Sequence, residues 1–125
     1  MFCVLFTCAG TSSSMRAGRV GAVERGMATY YARRLAGHKT ANGERYDPSA
    51  LTAAHPVLPF GVMVRVTRLD DDREPHPPVI VRINDRCAAG KKIIDLSEAA
   101  ARRLGMLTAG IVRVRIQVVS PGRGN

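Results

Sequence analysis

The feature that most narrows the fold is the stretch Ile111-Val-Arg-Val-Arg-Ile-Gln-Val-Val119 near the carboxyl end of the chain. Its side chains alternate with a period of two, which suits a strand with one face in a core and cannot make a helical stripe. Val112, Val114, Ile116 and Val118 are therefore expected to be buried. Val62-Met-Val-Arg-Val-Thr-Arg-Leu69 alternates likewise at its centre, setting Val64 and Val66 against Arg65 and Thr67. Val79-Ile-Val-Arg-Ile-Asn84 is a third strand. The polar run Asp70-Asp-Asp-Arg-Glu-Pro-His-Pro-Pro78 can continue neither neighbour, so these two strands should form a hairpin with a long loop.

Gly26-Met-Ala-Thr-Tyr-Tyr31 is a shorter strand candidate, followed by a basic loop that closes on the turn dipeptide Asn42-Gly43. One good helix is expected, from Ser97 to Leu104. Ser97 is its N-cap, Glu98 complements the dipole, Arg102 and Arg103 occupy the last turn, and Gly105 ends it. Asp95 reads as support for the start of that helix. Short strands, polar loops and one short helix point to a small closed barrel, which leaves no sheet edge exposed.

A chain of 125 residues holds one core and one cleft. Aromatic residues make up 5% and Trp is absent, so the core must be aliphatic. The formal charge of +9 suits an anionic partner or surface. The arginines are scattered rather than gathered into a run, so nucleic acid is not expected as a partner. Cys3, Cys8 and Cys87 lack the spacing of a zinc site and are too few for a disulfide framework. Neither a metal nor another cofactor is expected. No stretch approaches the ~20 apolar residues of a membrane-spanning helix.

The organisation reads as residues 1–23, an apolar leader remnant and flexible linker; residues 24–119, the folded domain; and residues 120–125, a frayed tail. Leu5-Phe6-Thr7-Cys8 approximates the Leu-x-small-Cys end of a lipoprotein signal, with Cys8 as the lipidated residue. The stretch before it is short and lacks a basic region, which a start codon further upstream would explain.

Three clusters remain once core positions are set aside: Thr40-Ala-Asn-Gly-Glu44 with Tyr46-Asp47, Leu51-Thr-Ala-Ala-His55 with Leu58-Pro-Phe-Gly61, and Arg82-Ile-Asn-Asp-Arg86 with Ile93-Ile-Asp-Leu-Ser97. In wording and order they resemble the rare lipoprotein A family, over residues 26–119. The resemblance implies a six-stranded double-psi β-barrel in the bacterial cell envelope, periplasmic or at the outer membrane, with lipidated Cys8 as the membrane anchor. It implies an endolytic transglycosylase that cleaves the β-1,4 bond between N-acetylmuramic acid and N-acetylglucosamine without water. The product carries a 1,6-anhydro end, and strands stripped of stem peptides are the implied preference. A monomer is expected. The chain departs from the family pattern at Cys87-Ala-Ala-Gly90 and in the lack of Trp beside Tyr30 and Tyr31, and the carboxyl-terminal peptidoglycan-binding repeat of many members is not expected.

An ordinary glycosidase needs two carboxyl groups. When the sugar's own C6 hydroxyl is the nucleophile, one carboxyl serves first as acid and then as base. Asp85 is the candidate, because it ends a buried strand where a barrel opens, and the family's catalytic Asp falls at this position. A carboxyl partly withdrawn from water favours its neutral, proton-donating form. His55 would hold or polarise Asp85 or a sugar hydroxyl, and Glu44 would position sugar or stabilise positive charge in the transition state. Tyr31, Thr40, Thr52, Asn84 and Arg86 are the expected substrate contacts. Cys87, beside the proposed acid, reads as a small buried thiol rather than a nucleophile. The rival function is a non-catalytic glycan-binding barrel of the expansin-like kind, which shares the fold and a cleft acid.

Overall fold

The three alternating stretches become adjoining walls of one barrel. A computed structural model describes residues 13–70 and 75–122. In it β1 (Val23–Tyr30), β2 (Thr52–Ala54), β3 (Met63–Arg68), β4 (Val79–Asp85), β5 (Lys92–Leu96) and β6 (Val112–Ser120) close in the order β1-β5-β2-β4-β3-β6. Strands β6, β3 and β4 pair antiparallel, so the long-looped hairpin forms as expected. Two pairs, β1 with β5 and β2 with β4, run parallel. These parallel pairs join strands far apart in sequence.

Every buried position expected from alternation is found inside: Val64, Val66, Val112, Val114, Ile116 and Val118 are at most 1% exposed. Together with Val81, Ile83, Ile94 and Leu96 they fill the barrel with aliphatic groups, and among the described residues no aromatic side chain belongs to this buried cluster. Gly26 leaves room for β5, since a Cβ there would lie 2.6 Å from a methyl of Ile93.

Helix α2 (Glu98–Arg103) has the expected cap, with Ser97 Oγ accepting from Ala100 N at 3.3 Å. Gly105 follows at φ +65°, the conformation that ends such a helix. Asp95 does not cap this helix; it lies within β5.

Two differences concern the boundaries. The stretch read as linker contains a second helix, α1 (Ser13–Ala17), whose Met15 is buried in the core. It is held to the barrel where Gly18 approaches Pro59 and Val62 and where Gly21 N donates to Val118 O. A five-residue helix is too short to show a period, which is why the sequence hid it. Strand β6 also runs on to Ser120. Cys3, Cys8 and the leader lie outside the described residues.

Candidate active site

The site forms where β4 leaves the barrel. Ala53 pairs with Ile83 but Ala54 pairs with Asp85, so Asn84 is the extra residue of a β-bulge. A bulge breaks alternation and re-aims the side chains that follow. Ile83 and Asn84 are both buried in succession, and Asp85 turns to a half-exposed position.

Three donors fix the Asp85 carboxylate. Oδ1 accepts from Ala41 N and from Arg86 N, each at 2.8 Å, and Oδ2 accepts from the Tyr31 hydroxyl at 2.5 Å. Backbone N–H groups can only donate, so Oδ1 is committed as an acceptor. A phenol can donate or accept. If Asp85 binds a proton, that proton therefore belongs on Oδ2, and the Tyr31 oxygen can turn to receive it. Burial, and next the hydrogen bond to Asp85, push the Tyr31 phenol far above its ordinary pKa, so it keeps its proton at all physiological pH. Its ring packs on Tyr46 with centroids 4.7 Å apart. Tyr46 in turn accepts from Glu98 N at 3.0 Å, which ties the site to α2.

The loop 40–44 supplies Ala41. Asn42 Oδ1 accepts from Thr40 Oγ1 and from Glu44 N, and Asn42 N donates to Asn84 O at 3.2 Å. Gly43 adopts φ +95°, which a turn this tight requires. Glu44 is clasped by Arg82 through both oxygens, at 2.7 and 3.0 Å, and by Asn84 Nδ2 at 3.1 Å. The Arg82 hydrogen bond, then that from Asn84, lowers its pKa to about 2, so Glu44 is a fixed anion and not a proton donor near neutrality.

His55 is fully buried next to Asp85, to whose carbonyl oxygen its backbone N–H donates at 3.1 Å. Its Nδ1 accepts from Val57 N and Leu58 N at 3.1 Å, which places the ring proton on Nε2, where it donates to Glu24 at 2.9 Å. The ring therefore holds neither the Asp85 carboxylate nor a solvent-facing hydroxyl. It shapes the turn 55–58, whose Leu58 and His55 carbonyls take the Arg86 guanidinium at 2.7 and 3.3 Å. That guanidinium also lies 4.1 Å over the Phe60 ring. Thr52 is buried in the barrel wall, with its carbonyl accepting from Ser97 N, so a direct sugar contact does not fit its position. Thr40 and Asn84 are buried too and act by holding the loop and Glu44. Of the expected contacts, Tyr31 and Arg86 stand beside Asp85.

Asp95, read from the sequence as support for the helix, lies instead beside Asp85. Ala54 pairs with Asp85 on one side and with Asp95 on the other, so the two carboxyls flank one alanine. Burial raises the Asp95 pKa, against a hydrogen bond from Thr29 Oγ1 at 3.0 Å and the Lys92 ammonium at 3.9 Å; the charge of Asp85 adds to the rise. A carboxylate breaking the apolar run Ile93-Ile94-Asp95-Leu96 was the available signal. Burial lifts the Cys87 thiol to about 11, so it is not a thiolate nucleophile at neutral pH.

A family model described as lytic transglycolase matches residues 23–116. The chain belongs to this family. It is 49% identical over 100 residues to the probable endolytic peptidoglycan transglycosylase RlpA of Treponema pallidum, covering 79% of this chain and 30% of that protein. It is 46% identical over 99 residues to the endolytic peptidoglycan transglycosylase RlpA of Neisseria meningitidis, covering 78% and 40%. The chain thus spans well under half the length of these relatives. Among solved structures, the apo Clavibacter michiganensis expansin superposes with a TM-score of 0.63 over 82% of this chain and 53% of that one, at 24% identity. The expected double-psi barrel and the rare lipoprotein A membership both hold.

Proposed function

We propose that this lytic transglycolase domain is an endolytic peptidoglycan transglycosylase, and that Asp85 is its single acid and base. The observation that carries the reading is the asymmetric hold on Asp85: two backbone donors fix Oδ1, while Oδ2 faces the one partner able to follow a proton. In the forward step Oδ2–H protonates the glycosidic oxygen as the bond to C1 of N-acetylmuramic acid breaks. The C6 hydroxyl of the same sugar then closes on C1, and Oδ2 takes the proton it releases. Atoms and charge balance without water, and the carboxyl is returned protonated. The anionic Glu44, set on the same loop and strand end, supplies negative charge toward the oxocarbenium-like transition state. Tyr31 positions Asp85, Arg86 offers a cation at the rim, and His55 maintains the turn 55–58.

The relatives' names support peptidoglycan as substrate and the cell envelope as location. Anchoring through a lipidated Cys8 belongs to the same reading, and fatty-acid labelling lost in Cys8→Ser tests it. The reaction itself is tested by digesting purified sacculi in water enriched in oxygen-18 and analysing the fragments by mass spectrometry. Anhydro-muramic ends free of the heavy isotope are expected. Reducing ends that carry it would make the protein a hydrolase, and intact but bound glycan would leave an expansin-like barrel.

A further inference from the structure

The outer wall of the barrel away from Asp85 carries a second pattern. Strand registers align its outward residues in rows: Val23, Gln117, Arg65 and Ile80; then Arg25, Arg115 and Thr67; then Met27 and Arg113, with Leu69 N bonded to Arg113 O. Four arginines therefore share one face of β1, β6 and β3. Arg25 and Arg115 stand directly opposite one another, an arrangement that is destabilising in isolation. Among the described residues no carboxylate pairs with Arg25, Arg113 or Arg115, and no acidic side chain stands in these rows. Four of the five large apolar side chains left exposed among the described residues also border this face: Val23 (38%), Leu69 (38%), Ile80 (42%) and Ile111 (51%).

The geometry points to this wall as a docking surface for an anionic phospholipid bilayer. Guanidinium groups pair with lipid phosphates, and aliphatic side chains between them enter the boundary between headgroups and acyl chains. Charge alone would also suit a nucleic acid or the carboxylates of the wall, but neither gives the exposed aliphatic residues a counterpart. A second copy would set arginine against arginine. The proposal is independent of the transglycosylase reading, because Asp85 lies at the barrel mouth and not on this wall.

The test uses the full chain with Cys8→Ser, which removes any acyl anchor, in co-sedimentation with phosphatidylcholine vesicles with or without phosphatidylglycerol. Binding is expected only when phosphatidylglycerol is present, and it should weaken as salt is raised. Each arginine near such a surface contributes roughly fivefold, so the combined Arg25→Gln, Arg113→Gln, Arg115→Gln variant should bind on the order of a hundredfold more weakly. Its unfolding midpoint should not fall, since the change relieves the opposition of Arg25 and Arg115, and its activity on isolated glycan should stay at the parent value, since all three side chains are peripheral. Val23→Ser with Ile111→Ser should also weaken vesicle binding. The proposal is overturned if the parent ignores phosphatidylglycerol, if the triple variant binds as well as the parent, or if it loses sacculus binding while vesicle binding persists.

Discussion

Tyr31→Phe isolates the feature that makes Asp85 a proton carrier. The substitution deletes one oxygen, whose bond to Asp85 Oδ2 is 2.5 Å long, and leaves the ring to pack on Tyr46 at 4.7 Å. Asp85 keeps both backbone donors on Oδ1, so its carboxylate stays in place. A hydrogen bond to a charged group contributes about 1.5–3 kcal/mol. If that bond is used in full in the transition state, its loss slows turnover by roughly 10- to 150-fold. The phenol faces the carboxyl rather than a sugar, so KM should change by less than about twofold while kcat falls. The assay is the rate of anhydro-muramic end formation from isolated glycan strands, with the folded state verified by thermal unfolding. A variant with parental kcat, or one whose whole defect lies in KM, would refute the reasoning and return Tyr31 to the role of a sugar contact.

Two further outcomes separate support from chemistry. His55→Ala orphans Val57 N, Leu58 N and the Glu24 carboxylate at once, so it should destabilise the fold by about 3–5 kcal/mol in urea unfolding; parental stability with lost activity would instead make His55 part of the chemistry. For Glu44 the folded pKa of about 2 lies below the ordinary 4.5, so its stabilising contribution is full above about 4.5 and disappears as pH falls toward 2. The stability gap between the parent and Glu44→Gln should close across that window, and a gap independent of pH would contradict the clasp by Arg82 and Asn84.

Much of the barrel was legible because strands β3, β4 and β6 alternate, and alternation is a local property. Strand β5 was not, since Lys92–Leu96 shows no clean period and is made a strand by its distant partners β1 and β2. The same division runs through the site. Glu44, Asn84, Asp85 and Arg86 stood out as short motifs, and Glu44 and Asn84 do meet. That the Tyr31 hydroxyl falls on Asp85 depends on a separation of 54 residues, and that His55 turns to Glu24 on a separation of 31. No local pattern carries that information. The bulge at Asn84, which turns Asp85 toward the mouth, is likewise a matter of register between β2 and β4.

The central claim rests on one carboxyl doing both proton transfers, and the rate of anhydro-muramic end formation by Asp85→Asn tests it most directly. The amide keeps the shape of the side chain, so the variant should fold and still bind glycan. It cannot cycle a proton near neutral pH. Loss of general acid-base catalysis typically costs about 10²- to 10⁴-fold, and here one change removes both halves, so the rate should fall toward the upper end of that range. A folded Asp85→Asn that releases anhydro ends at nearly the parental rate would contradict the account.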